Sequence, residues 1–235
     1  MTGILPSHED KRTYVRQMFG RIAPYYDVMN RIMTFGLDQI WRKKVVNLLH
    51  PVNYKQYLDL GAGTGDLARE IRSTTPQATI IAADLTMEMM KYGKDHHKST
   101  GIQWVVADAQ ALPFSSDIFD GIVSGYLIRN VPDIDATLSE QRRVLKDQAM
   151  MICLDTTPPG YSIFYPFIMI YLKWIIPLVG KLVSGDAHAY RYLPESTQKH
   201  VTANSLAEQM RQTGYHSVGF EKFQFGTMAV HWGKK

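Results

Sequence analysis

The sequence predicts an α/β fold, a mostly parallel sheet with helices on both faces, and three observations carry that prediction. From residue 56 short β-type runs alternate with helical ones; a glycine-rich turn, "LDLGAGTGD" (58–66), closes the first of those runs; and acidic residues close the next two β-type runs. Crossovers between parallel strands are almost always right-handed, so the carboxyl ends of the strands share one edge. Ligand groups collect at that edge.

Three helices open the chain. Val15, Met18, Phe19 and Ile22 have the spacing of one helical face within residues 11 to 23, and Pro24 interrupts the pattern. A second stretch, Val28 to Met33, stops near Gly36; a third, Asp38 to Leu49, has an acid at its start and Pro51 beyond its end. The alternating region then reads "QYLDL", "LAREIRS", "TIIAADL", "MEMMKYGKD", "IQWVVAD", "FDGIVSGY", "IDATLSEQRRVL" and "AMMICLD". Residues 158 to 205 break the alternation and are expected to form a helical cap insertion, after which "SLAEQMRQTGY" resumes a helix. The final "HSVGFEKFQFGTMAVHWGKK" predicts two strands around Gly226, an antiparallel hairpin on the sheet edge.

A chain of 235 residues can bury a substantial core, and one domain over residues 1–235, with its N-terminal helical region (1–50) and the cap, is the expectation. Cys153 is the only cysteine, which excludes an intramolecular disulfide and a cysteine-rich zinc site and fits a reducing compartment. The eight histidines are scattered, and the adjacent His96 and His97 have poor ligand spacing, so no metal is expected. The first residues lack the pattern of a secretory signal, which points to the cytoplasm. Net charge is +4, with eight Lys/Arg against four Asp/Glu in residues 1 to 50; such a bias can favour anionic lipid or nucleic acid, but no nucleic-acid-binding signature is present.

The glycine spacing chooses the ligand. A dinucleotide fingerprint is GxGxxG, whereas Gly61, Gly63 and Gly65 give GxGxG between Asp59 and Asp66. Two flanking carboxylates repel a phosphate and suit an ammonium group. The next strand ends in Asp84, where a carboxylate can accept from both ribose hydroxyls, and the one after it in Asp108, placed for an adenine amine with the Ala109 N–H on a ring nitrogen. A nucleoside without phosphates but with an amino-acid tail matches all three groups: S-adenosylmethionine. The plainer alternative is that both acids cap the following helices. The predicted cofactor set is Asp59, Gly61, Gly63, Thr64, Gly65, Asp84, Leu85, Asp108, Ala109, Ser124 and Gly125.

Six blocks carry a further resemblance: "FGRIAPYYDVMNRIMTFGLDQIWR" (19–42), "LDLGAGTGDLA" (58–68), "DAQALPF" (108–114), "IRNVPD" (128–133), "RRVLK" (142–146) and "AYRYLPES" (189–196). With them the chain resembles the ubiquinone/menaquinone biosynthesis C-methyltransferase family almost end to end. The resemblance implies a seven-stranded class I, Rossmann-like S-adenosylmethionine-dependent methyltransferase, with cofactor contacts on Thr64, Asp84, Asp108 and Ala109. It also implies the reaction: methylation of a ring carbon of a polyprenylated quinol, demethylmenaquinol or a methoxy-benzoquinol. The chain departs from the family pattern at Tyr126–Leu127, where Phe-Gly is usual, at Gly125, where a cofactor-contacting Ser can stand one place after Ser124, and at His200–Val201, where Phe-Pro is common.

Methylating carbon needs an electron-rich ring, so the protein must favour a phenolate. Arg129 and Asn130 directly follow the fourth strand; a guanidinium can stabilise the oxyanion and Asn130 can orient it. The blander alternative pairs Arg129 with Asp133 or a helix carboxylate. Tyr26 is the third catalytic candidate, to bond the quinol or cover the cofactor, against the alternative of an ordinary half-buried tyrosine.

Pro158 to Leu172 holds no charged residue, but Lys173 ends the run and prolines stand at 166 and 177. A membrane-spanning helix wants about 20 apolar residues, so this run is read as too short and too broken to span, and as a cap or interfacial helix. It is expected to cover a groove for the polyprenyl tail and to touch the membrane surface transiently, placing the protein in the cytoplasm at the inner face of the membrane. A homodimer is compatible with the sequence. The rival readings are a methyltransferase of a soluble small molecule, O- or N-directed, a catalytically silent homologue, and a nucleotide-dependent reductase, which the glycine spacing opposes.

Overall fold

The computed structural model describes residues 6, 10–97, 100–160 and 163–235. Seven strands form one sheet: β1 (Gln56–Leu60), β2 (Thr79–Asp84), β3 (Ile102–Val106), β4 (Phe119–Gly125), β5 (Leu145–Thr156), β6 (His216–Phe223) and β7 (Met228–Lys234). Their order is β3-β2-β1-β4-β5-β7-β6; the first five are parallel, and β7 pairs antiparallel with both β5 and β6. The predicted hairpin is present, with β7 lying inside β6. Burial on both faces explains why the central strands read as short apolar runs: Leu58, Ile80, Ile122 and Ile152 are fully buried.

Helices α4 (Asp66–Thr74), α5 (Met87–His96) and α6 (Ile134–Val144) cross between the parallel strands, and α10 (Ala203–Gln212) precedes the hairpin. Order reverses between β1 and β4, and there the strand ends open a crevice. Over it lie α1 (Lys11–Ile22), α2 (Tyr26–Met33) and α3 (Leu37–Leu49), with Pro24 inside a 3₁₀ turn, Ala23–Tyr25. Helix α2 begins at Tyr26, two residues before the sequence signal.

The cap comprises α7 (Tyr165–Ile170), α8 (Ile176–Ser184) and α9 (Ala187–Lys199); residues 161 and 162 of the predicted insertion lie outside the described residues. It shares a third apolar core with α1, α2 and α5, built on Met18, Ile22, Met29, Met89, Ile176, Tyr190 and Tyr192. One expectation is corrected here. The run is neither short nor broken: Tyr165–Ser184 is one continuous helix of 20 residues, long and apolar enough to cross a membrane by length and composition. Pro166 sits in its first turn, where a missing N–H costs nothing. Pro177 would collide with the carbonyl four residues back; a π turn, Tyr171–Ile175, widens the helix just ahead of it, and the Ile176 N–H reaches back five residues to the Tyr171 carbonyl.

The glycine turn is locked by α5. Gly93 lies so close to the Thr64 backbone that a Cβ there would overlap the Thr64 carbonyl. Alanine gains about 1 kcal/mol of helix propensity, whereas overpacking against backbone costs about 1–3 kcal/mol or more, so the clash wins. Gly93→Ala is therefore expected to lower the melting temperature by several degrees and to weaken S-adenosylmethionine binding, read by circular dichroism and calorimetry; a raised melting temperature would show that the turn yields freely.

Candidate active site

Strand β1 runs into the glycine turn, and Gly65 (φ 87°) starts α4 in a conformation that side chains resist, with Trp104 2.5 Å from where its Cβ would stand. The Gly63 N–H donates to Asp84 Oδ2 at 2.8 Å and the Thr86 N–H to Oδ1 at 2.7 Å, so Asp84 ties the turn to the end of β2. Asp59 accepts from the Ala68 N–H at 2.8 Å, and its other oxygen is buried without a partner. Burial pushes Asp59 up to about 7, against the pull of the Ala68 N–H. Burial also raises Asp84.

The two acids flanking the turn thus differ. Asp66 is neutralised by Arg42 at 2.8 Å and by Arg69, whereas among the described residues none forms an ion pair with Asp59, which Arg69 reaches only as a minor electrostatic influence. Two cavities meet along the turn. One, of about 100 Å³, is walled by Gly61, Gly63, Asp84, Leu85, Asp108, Ala109 and Gly125, with Phe19 and Arg12 of α1 across it; Arg12 bonds Asp108 at 2.8 Å. The smaller is walled by Tyr26, Asp59, Thr64 and Gly125. A buried, unneutralised carboxylate beside the bare turn, with two further acids at the next strand ends, fits an ammonium-bearing nucleoside without phosphates.

Nine of the eleven predicted cofactor residues wall these cavities. The other two do not. Gly65 is turned toward Trp104. Ser124, 1 % exposed, lies against the buried Cys153 thiol, because successive strand residues face opposite ways and Gly125 takes the cavity side.

A third cavity, of about 320 Å³ and mostly apolar, lies between α2, the cap and the hairpin. Met33, Phe164, Phe167, Tyr171, Ile176 and Met228 wall it. Its inner end carries Asn30, Tyr126 and Arg129, and there Asn30 Nδ2, the Tyr126 hydroxyl and Arg129 Nε are buried without hydrogen-bond partners. Three orphaned polar atoms on residues that wall an oily pocket are costly unless a ligand completes them.

Arg129 is paired, but with Asp155 at the end of β5 and not with Asp133, which instead caps α6. The Nη1–Oδ1 distance is 2.5 Å, and the Arg129 N–H donates to the other oxygen at 3.1 Å. Burial opposes both charges; the pairing overcomes it, holding Asp155 below the usual carboxylate range and Arg129 above its ordinary value. Asn130 has its side chain engaged: Nδ2 donates to the Tyr126 carbonyl at 2.8 Å and Oδ1 accepts from the Tyr192 hydroxyl at 3.1 Å. Tyr26 walls both cavities along the turn, beside Asn30, and burial raises its phenol. Asp155 and Tyr126 carried no assigned role in the sequence, and Asn30 was expected only to fix the Tyr26 segment together with Asp27; Asp155 had the same signal as Asp84, an acid closing a strand.

This sheet, with a glycine turn and an acid on each of the next two strand ends, defines the protein as a class I S-adenosylmethionine-dependent methyltransferase. Solved structures share the fold at identities that speak for fold alone: a methyltransferase from Thermotoga maritima, described as a possible histamine N-methyltransferase (TM-score 0.67, 17 % identity, 93 % of this chain and 98 % of that one), and the [4+2]-cyclase SpnF (0.69, 13 %, 94 % of each). The model of the ubiE/COQ5 methyltransferase family matches residues 7–235, and the chain belongs to that family as a quinone-biosynthesis C-methyltransferase. Relatives include a ubiquinone/menaquinone biosynthesis C-methyltransferase of Desulfotalea psychrophila, 42 % identical over 94 % of this chain and 90 % of its own, and a demethylmenaquinone methyltransferase of Roseiflexus sp., 36 % identical over 100 % and 98 %. A mitochondrial 2-methoxy-6-polyprenyl-1,4-benzoquinol methylase of Oryza sativa is 31 % identical over 97 % and 85 %.

Asp59 gives the donor pocket a pH dependence. Below about 7 its carboxyl is protonated in the free protein, and an ammonium is attracted only to the carboxylate. S-Adenosylmethionine affinity should therefore weaken as pH falls from 7 to 5.5, with a proton released on binding near pH 6. Calorimetry in two buffers of different ionisation enthalpy checks this: Asp59→Asn should bind roughly tenfold more weakly and release no proton.

Proposed function

We propose that the chain methylates a ring carbon of a polyprenylated quinol, demethylmenaquinol or 2-polyprenyl-6-methoxy-1,4-benzoquinol. One observation carries this reading: the apolar cavity is walled inward by three buried residues with unpaired polar atoms and outward by the exposed Phe35, Phe167 and Phe225. The ring oxygens would complete the inner atoms while the tail leaves between the phenylalanines. The names of the relatives support the same substrate class.

When bound, S-adenosylmethionine supplies an electrophilic methyl group, held by Asp59, Asp84, Asp108 and the glycine turn. Arg129 stays charged and, anchored through Nη1, keeps Nε for the quinol oxygen, so that it favours the phenolate. Tyr26 closes the space between donor and acceptor against water, which strengthens that attraction. Asn130 acts as a positioning residue, through the Tyr126 carbonyl.

The cap helix supports a membrane contact. One face packs on α9, where Gly180 touches Tyr190, while Phe167, Trp174 and Leu182 on the other are more than 70 % exposed, with Lys173 and Lys181 beside them. Aromatic and Lys side chains of this kind suit an anionic bilayer interface. The protein would thus work in the cytoplasm, touching the membrane transiently.

Methyl transfer measured by mass spectrometry on a quinol with and without its prenyl tail tests the function. The tailed substrate should be at least tenfold better in kcat/KM, since about 25 cal/mol per Å² of apolar surface is at stake; indifference to the tail would overturn the reading. The double variant Trp174→Asp, Leu182→Asp should lose sedimentation with anionic vesicles yet keep turnover on a tail-less acceptor. Arg129→Lys, which keeps the charge for Asp155 but loses Nε, should cut kcat about 100-fold.

A further inference from the structure

We propose that Tyr126 is a catalytic residue of this site, its phenol O–H donating to the acceptor oxygen that carries the developing negative charge. The inference rests on the quinol reading above. Three observations converge on it.

The first is position. Among the described residues Tyr126 alone walls all three cavities, the two along the glycine turn and the apolar one. It therefore stands where methyl donor and acceptor must meet. The second is an unmet hydrogen bond: the residue is 9 % exposed, and its hydroxyl is buried without a partner. A tyrosine present only for packing would be left with a desolvated hydroxyl and nothing to bond.

The third is rigidity. Tyr126 holds φ 60°, a left-handed conformation costly for a bulky residue, and its neighbours impose it. Its N–H donates to the Leu154 carbonyl at 2.7 Å, its carbonyl accepts from Asn130 Nδ2 at 2.8 Å, and the Arg129 guanidinium sits 4.9 Å over its ring. A side chain that only filled space would not need its backbone fixed so firmly. Burial also raises the phenol well above its ordinary range, so Tyr126 keeps its proton and acts as a donor, not a base.

The chemistry balances without Tyr126 gaining or losing a proton. An acceptor hydroxyl gives its proton to water; the ring carbon beside it uses its electron pair to form the new C–CH₃ bond while the S–CH₃ pair returns to sulfur. The ring then sheds its C–H proton and the oxygen is reprotonated, one proton being released overall. Negative charge is largest on oxygen before the bond forms, and the Tyr126 O–H meets it alongside Arg129 Nε.

The test uses 1-naphthol, a redox-stable mimic, bound to the full chain without methyl donor, its phenolate followed by absorbance against pH. Tyr126→Phe should raise the bound ionisation midpoint by about one unit, and 3-fluorotyrosine at the same position, a stronger donor, should lower it. On the prenylated quinol Tyr126→Phe should cut kcat about 10- to 100-fold and move its pH profile upward, with S-adenosylmethionine affinity unchanged. Unchanged midpoint and profile in Tyr126→Phe would overturn the proposal. Should that variant melt early, the direction of the fluorotyrosine shift decides. A wild-type chain that methylates no quinol, yet binds naphthol with a Tyr126-dependent midpoint, would sink the quinol reading and leave the Tyr126 contact standing on another acceptor.

Discussion

The ion pair between Arg129 and Asp155 is closed off from water, with side chains 5 % and 1 % exposed. Stripping water from two such charges costs several kcal/mol each, and only good geometry with additional hydrogen bonds returns it. Asp155 has that geometry: the guanidinium and two backbone N–H groups, from Arg129 and Thr156, converge on its two oxygens. A well-packed apolar pair could stabilise the fold as well, so stability alone does not account for the pair. Its consequence is directional. With Nη1 fixed on the end of β5, the guanidinium sits 4.9 Å over the Tyr126 ring and Nε is left without a partner, on a residue that walls the apolar cavity.

Charge along the rest of the edge is arranged by the same logic. The basic excess of the first 50 residues invites a reading as a surface for anionic partners, yet several of those arginines are paired with acids of this chain, and Arg42 is buried. Arg12 bonds Asp108, Arg31 and Arg42 hold the fully buried Asp38, and Arg42 continues to Asp66. Thr64 and His97 meet on Asp27 in the same way. The N-terminal helices are thereby fastened to the glycine turn by charge as well as by packing. Asp59 is the acid beside the turn that this network omits.

The sheet was legible because parallel strands buried on both faces must be short and continuously apolar, a pattern that survives without an alignment. Asp84 and Asp108 were legible for a related reason: right-handed crossovers put all strand ends on one edge. What escaped depended on direction or distance. Ser124 and Gly125 are neighbours in sequence and face opposite sides of β4, and nothing in "GIVSGY" says which faces the cavity. The partner of Arg129 is 26 residues away on another strand, and a nearer acid, Asp133, looked equally good until it proved to be a helix cap. The engagement of Asn130 with Tyr192 spans 62 residues and joins the cap to the loop, which no local pattern reports.

The long apolar helix shows where a sound rule misleads. Proline interrupts a helix because its ring meets the carbonyl four residues back, but the argument assumes an unbroken i to i+4 ladder. One turn of wider pitch before Pro177 removes the collision, and 20 residues run on as a single helix. Length alone would then suggest a membrane span. Packing argues otherwise: Ile176 is buried in the third core, and Gly180 is so close to Tyr190 that no larger residue fits between the helices. To cross a bilayer the helix would have to abandon those contacts and leave Tyr190 and Tyr192 uncovered. A helix pinned along one face and apolar along the other suits an interface better than a span, and on the membrane contact proposed above the outer phenylalanines of the cavity would stand beside the surface from which a prenylated substrate would come.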